Sequence, residues 1–331
     1  MANAGRVIAV VLSGGVGGVL PTEGQSPYAA AVIAYDPAPG QFTGNPDFND
    51  PGRAIGPPGA GTPSSPDNTG LVTLGGFGGS ITLGFDHTVE DDPANPMGLD
   101  AIVFGNAFYL AGDPTRRFGE AGIIEISLDA NGNGLADDPF YLIAGSGLSV
   151  PVQPPFELTA AVFTDQFAVN PNPETESVFG YADWTPTNAP LGASPAERDL
   201  VFTTPDDPFA VGLSEGSGGG DAFDIAWAVD PATGEPAGLT GFDFIRVTTG
   251  VDATSGLFGE KSTEIDALSD VAPGSVCAAD INADGLLDAA DFNAWLTAFI
   301  AGEPAADQDG NGLLNGADFN TWLTNFLSGC P

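Results

Sequence analysis

The sequence predicts a mainly β protein, an antiparallel β-sandwich body followed by a small all-α domain at the C-terminus. Three observations carry this expectation. Short apolar runs alternate with polar residues between clusters of Gly, Pro, Asn and Asp, the habit of half-buried antiparallel strands. Gly 47 and Pro 29 in 331 residues disfavour long helices over most of the chain. Near the end, "DINADGLLDAADFNAWL" (Asp280 to Leu296) returns as "DQDGNGLLNGADFNTWL" (Asp307 to Leu323), an acidic loop running twice into a segment of helical periodicity.

Length and charge narrow the function classes. A chain of 331 residues accommodates a body of about 200 to 250 residues plus a small appendage. Hydrophobic residues at 42% supply a core. Lys+Arg total 7 against 44 Asp+Glu, and the formal charge of -37 repels polyanions and excludes a nucleic-acid partner. Partners are expected among cations, neutral molecules and proteins. No apolar run reaches the roughly 18 residues of a membrane span. Residues 1–29 read as a signal-like segment, with "VIAVVLSGGVGGVL" after Arg6 and the small residues of "YAAA" beginning at Tyr28, so the protein is expected to be secreted, extracellular or cell-surface. The glycines there fit no phosphate-binding fingerprint.

The body spans residues 30–268. Its strand segments, in order, are "AAVIAY" (Ala30 to Tyr35), "SITLGF" (Ser80 to Phe85), "DAIVFG" (Asp100 to Gly105), "GIIEISL" (Gly122 to Leu128), "FYLIAG" (Phe140 to Gly145), "FDFIRVTT" (Phe242 to Thr249) and "TEIDAL" (Thr263 to Leu268). Each is rich in β-branched and aromatic residues, and several alternate apolar with polar. Residues 146–220, marked by "VPVQPPF" and "GSGGG", read as long loops and so as a place where a ligand would bind. "SDVAPGSV", residues 269–276, reads as a linker.

The C-terminal domain covers residues 277–331. In its first loop Asp280, Asn282, Asp284, Asp288 and Asp291 hold positions 1, 3, 5, 9 and 12, with Gly285 at the bend and the Leu286 carbonyl at position 7. The second loop offers Asp307, Asp309, Asn311, Asn315 and Asp318 in the same register, with Gly312 at the bend and Leu313 as carbonyl donor. Oxygens at alternate residues around a sharp glycine turn suit Ca2+, which takes about six to eight of them. Behind each loop, Phe292, Trp295, Leu296 and Phe299, then Phe319, Trp322, Leu323 and Phe326, fall at helical spacing and are expected to form a mutual core. Cys277 and Cys330 bracket the segment. They are either a disulfide clasp worth about 4 kcal/mol or two reduced thiols.

Paired loops with only the second helix of an EF-hand, and Asp at position 12, resemble a dockerin. The bracketing cysteines and the final "FLSGC" are similar to the cysteine-bracketed type on secreted planctomycete proteins. The resemblance implies Ca2+-dependent folding and docking. At positions 10 and 11, where the family often carries hydroxyl residues, this chain has Ala289, Ala290, Gly316 and Ala317, so the implied partner is a cohesin-like protein or a dedicated surface receptor.

The body stretches "AYDPAPGQF", "LGGFGGSITLGFDH", "DDPANPMGLDAIVFGNAF" and "GVDATSGLFGEKSTEIDAL" resemble bacterial secreted or cell-surface proteins organised like the galactose-binding-like jelly roll. That fold hosts sugar binding, adhesion and scaffolding. The loop "DANGNGLADD" places Asp129, Asn131 and Asn133 at alternate positions, then Gly134, Asp137 and Asp138; it is either a third Ca2+ site or an Asn-Gly hairpin turn. Tyr181 and Trp184 offer aromatic faces for a glycan, or else are buried loop anchors. The single histidine, His87, reads as a loop residue with no nucleophile to serve. The functional expectation is therefore a glycan-binding surface module. The alternatives are a glycoside-active enzyme, which needs only two carboxylates, and a structural coat protein.

Overall fold

Alternating β-branched and aromatic residues build two principal sheets in the computed structural model, which describes residues 25–114, 117–146, 168–169, 183–208, 210–250, 252, 254–255, 259–272, 279, 281, 287, 289–302, 306, 308 and 313–328. The chain divides into two units, one containing Ser26–Ala272 and the other Pro273–Pro331. The first is mainly β, with antiparallel strand pairing throughout its sheets and few helices. Its principal strands are β1 (Ala31–Asp36), β2 (Ser80–Glu90), β3 (Ala101–Phe104), β4 (Gly122–Ser127), β5 (Tyr141–Ile143), β6 (Asp221–Phe223), β7 (Ala228–Val229), β8 (Gly241–Thr249) and β9 (Ala267–Asp270). Six form a sheet in the order β1-β2-β8-β4-β5-β7, and three form a second in the order β6-β3-β9. Every segment expected to be a strand contains one.

Register explains which residues reach the core. Val247 of β8 sits opposite Ile81 of β2 and Ile124 of β4, while Ile245 faces Leu83 and Ile126, so two rows of branched side chains cross the sheet. They share one buried cluster with Ala101, Val103, Phe223 and Leu268 of the three-stranded sheet. Strand β3 is apolar at every position because both its faces are covered: Ala101 and Val103 enter that cluster, and Ile102 and Phe104 enter a second one with Phe202.

Phe202 closes α1 (Pro195–Phe202), a helix inside the stretch expected to be loop. The correction has a local cause. Ser194 caps it, accepting from Glu197 N while the Glu197 carboxylate accepts from Ser194 N at 2.7 Å, and Pro195 takes the first turn. The helix is then tied down. Phe202 packs edge-on against Phe104 at 5.5 Å, Ser269 Oγ donates to the Phe202 carbonyl at 2.6 Å, and Tyr28 Oη donates to Asp199 at 2.7 Å. The short strand Ala168–Val169 also lies within the expected loop region. A second correction concerns the linker, because Ser269 and Asp270 are buried in β9 and the first unit continues to Ala272. His87 is no loop residue either. It lies on β2, with Nδ1 2.6 Å from Asp86 Oδ1 and Nε2 2.9 Å from Asp270 Oδ2, joining the larger sheet to β9.

Replacing Phe202 by Ala is expected to destabilise the first unit by about 3 to 5 kcal/mol, since the side chain is fully buried beside Phe104. Leu200→Ala on the same helix, at a position 68% exposed, should cost under about 0.5 kcal/mol. Urea unfolding of both variants, followed by far-ultraviolet circular dichroism, checks the contrast.

Candidate functional site

In the second unit, the repeated segments form α2 (Ala289–Ala301) and α3 (Gly316–Ser328). Their aromatic stripes meet. Trp295 stacks on Trp322 at 5.9 Å, Phe292 lies 5.5 Å from Trp322, and Trp295 lies 5.4 Å from Phe319. Trp322 Nε1 donates to the Ala279 carbonyl at 3.1 Å, tying Ala279 to α3.

Asp291 and Asp318 sit in the first turn of their helices and are wholly buried. Asp318 accepts from Gln308 N at 3.1 Å and from Asn315 N at 2.7 Å, so one carboxylate gathers positions 2 and 9 of its loop. Asn315 caps α3 by accepting from Ala317 N at 2.9 Å, and its amide donates to the Leu313 carbonyl at 2.9 Å. The other expected ligands, Asp280, Asn282, Asp284, Leu286, Asp288, Asp307, Asp309 and Asn311, lie outside the described residues, as do Tyr181, Cys277 and Cys330.

The loop after β4 brings all five of its named residues together. Asp129 accepts from Asn133 N at 3.1 Å and Gly134 N at 2.6 Å, while the Asn131 amide donates to Asp138 at 3.0 Å and the Asn133 amide to Asp137 at 3.2 Å. Gly132 and Gly134 take positive φ, which lets the chain turn tightly enough for this convergence. Asp243 of β8 accepts from Asp129 N at 2.6 Å and anchors the loop to the sheet.

Trp184 is corrected: it is 1% exposed and offers no face to a glycan. It is a buried anchor. Asp183 before it holds a left-handed backbone, φ 63°, that turns the indole inward against Gly119, where an added Cβ would meet the ring at 2.7 Å. Trp184 N then donates to Asp221 at 2.8 Å.

Of a set of buried carboxylates around this turn, the jelly-roll resemblance points only to Glu264, with Asp266, as cation ligands near the last strand; Glu120 and Asp183 were missed. One oxygen each from Glu120, Asp183 and Glu264 lies within 4.8 Å of the others, and all three residues are buried. Asp183 accepts from Asn106 N and Ala107 N at 2.8 Å each and from Glu264 N at 3.1 Å. Lys261, also buried, donates to the Gly119 carbonyl at 3.0 Å and lies 4.3 Å over the Phe118 ring. Burial first, then the neighbouring carboxylates, pushes Asp183 and Glu264 well above the ordinary carboxyl range. Three carboxylates this close share protons or a cation. A second set, Asp91, Asp100 and Asp224, converges within the same limit, and burial raises Asp100 to about 6. No local pattern assembles either set: Glu120, Asp183 and Glu264 come from distant segments, and Asp224 lies far in sequence from Asp91 and Asp100.

The pH dependence follows with a definite sign. Burial raises Asp100 and Asp221 to about 6 and Asp266 to about 7, so the folded chain holds protons that the unfolded chain has released near pH 4. Stability therefore falls as pH rises through about 4 to 7. His87 acts in the same direction: burial lowers its pKa, but hydrogen bonds to Asp270 and Asp86 outweigh this and raise it, so its contribution is complete below about 6.5 and lost above. Thermal melting in chelator is expected to show a higher midpoint at pH 5.5 than at pH 8 for the first unit; a lower midpoint at pH 5.5 contradicts it.

A scan against protein-family models finds no match to the chain, and a search of curated proteins finds none, so its own residues carry the functional reading.

Proposed function

We propose that the chain is a secreted, extracellular or cell-surface protein whose glycan-binding, jelly-roll β-sandwich body is attached through a small all-α, Ca2+-dependent dockerin-type domain to a cohesin-like or surface receptor protein. One observation supports this most: two acidic loops in identical register lead into matching helices whose first-turn carboxylates, Asp291 and Asp318, are wholly withdrawn from water. A buried carboxylate is costly unless backbone donors or a cation compensate it. Asp318 already draws two loop N–H groups to itself, and the Asp and Asn residues that precede it in the sequence are hard oxygen donors of the kind Ca2+ takes. Asp280, Asn282, Asp284, Leu286, Asp288 and Asp291 would hold one ion; Asp307, Asp309, Asn311, Leu313, Asn315 and Asp318 would hold another. The convergent loop of Asp129, Asn131, Asn133, Asp137 and Asp138 is the third candidate.

A helical pair this small has little core of its own, so ligand binding energy becomes folding energy. Ile300, Leu313 and Leu327 are exposed, leaving apolar surface for a protein partner. The glycoside-active alternative has less support in the Glu120, Asp183 and Glu264 set, since these side chains are too buried for a sugar to reach.

Calorimetry of the full chain tests the reading. Added Ca2+ is expected to raise one of two transitions, with a shift that grows with ion concentration, while Asp318→Ala removes most of that shift. Identical traces in Ca2+ and in chelator would overturn the metal assignment and the docking mode built on it.

A further inference from the structure

The first unit holds an open surface cleft of about 600 Å3, lined by residues 62–64, Tyr109, Asn188 and the turn at 212–216. No sequence motif marks it. Its walls are held by the backbone. Thr62 and Ser65 exchange hydrogen bonds of 3.0 and 2.9 Å, Ala189 N donates to the Gly61 carbonyl at 3.0 Å, and Asn188 N donates to the Gly218 carbonyl at 2.7 Å. Ser214 N donates to Asp206 at 2.6 Å. A site fixed in this way loses little freedom when a ligand enters.

The lining selects the chemistry. Thr62, Ser64, Asn188 and Glu215 reach the cleft, and their side chains make no hydrogen bond to the protein among the described residues. The Ser214 hydroxyl accepts from Asp207 N at 3.1 Å and gives its own proton to the Asp206 carboxylate, so it meets a ligand as an acceptor. Donors and acceptors thus stand together beside the apolar surfaces of Tyr109, Leu213 and Pro114. An anion finds no counter-charge there: Arg117 lies behind the Tyr109 ring at 5.2 Å, is buried, and donates to the Trp184 and Pro114 carbonyls at 3.2 Å each. The net charge of -37 repels anions further. A metal ion meets a single carboxylate, Glu215. A neutral sugar fits both halves of the lining, with hydroxyls along its edge for the polar groups and a C–H face for the apolar ones.

We propose that this cleft is the saccharide site of the body and takes a neutral hexopyranose residue, held by Asn188, Ser214 and Glu215 against Pro114 and Leu213. The proposal rests on the glycan-binding reading above and locates it.

Titration calorimetry of the full chain with methyl β-galactoside, methyl β-glucoside, lactose and cellobiose, and with glucose 6-phosphate as the anionic control, provides the test. At least one neutral sugar is expected to bind and the phosphate ester to bind more weakly. Asn188→Ala, which leaves the backbone bond to Gly218 intact, should weaken binding by about tenfold. Ser64→Trp, at an exposed position, should fill the mouth and abolish it, with an unchanged melting curve showing that the fold is retained. If a neutral sugar binds wild type and both variants equally, the cleft is the wrong site while the glycan reading stands. If none of the four sugars binds, both fall. Tighter binding of the phosphate ester overturns the neutral-ligand assignment.

Discussion

Buried aspartates that accept hydrogen bonds from loop N–H groups are the interaction on which the rest of the structure depends. Asp183 gathers Asn106, Ala107 and Glu264; Asp100 takes Asp92 N at 3.0 Å and Ile225 N at 2.9 Å; Asp221 holds Trp184 and Thr185; Asp266 holds Gly59 at 2.8 Å. Asp318 does the same in the second unit. A chain with long irregular connections has many backbone donors outside its ladders, and a buried donor left without an acceptor costs about 1 to 3 kcal/mol. Each carboxylate offers two oxygens and about four lone-pair sites, so one aspartate can serve several strands of backbone at once.

This arrangement suits a composition with few cations. Between described residues only three side-chain ion pairs form, two of them through His87. The cohesion of the loops therefore rests on carboxylate to backbone bonds across large sequence separations, 125 positions for Asp100 and Ile225 and 207 for Asp266 and Gly59. The consequence is a set of carboxyl groups whose burial raises their pKa, tuned by backbone donors that pull the other way. The same withdrawn oxygens are what a hard cation would seek, which links the clamping role to the proposed Ca2+ chemistry.

Much of the framework was legible because it is periodic. The "SITLGF" and "FDFIRVTT" segments alternate as strands must, and the aromatic spacing after each acidic loop marked α2 and α3. Helix α1 carried its own signal, Ser194-Pro195 with Glu197, but that signal was submerged in a stretch rich in proline and glycine. The convergence at Asp129 to Asp138 was legible because its five residues are neighbours in the chain. The Glu120, Asp183 and Glu264 set was not, since periodicity assigns an acidic residue to solvent and Asp183 becomes buried only through its left-handed turn. Trp184 was misplaced for the same reason: its orientation is set by Asp183 and by the space beside Gly119.

A scaffold whose loops are pinned from within can present a fixed cleft and a fixed acidic loop without covering either with regular structure. Native-state hydrogen exchange of the amides of Asn106, Ala107, Thr185, Ile225 and Glu264 is the most direct measurement of that pinning. Except for Glu264, these amides lie outside the sheet ladders, yet each donates to a buried aspartate. If the carboxylates hold the loops, these N–H groups exchange as slowly as those of β8, only on global unfolding of the first unit. Exchange at the rate of open surface loops would contradict it.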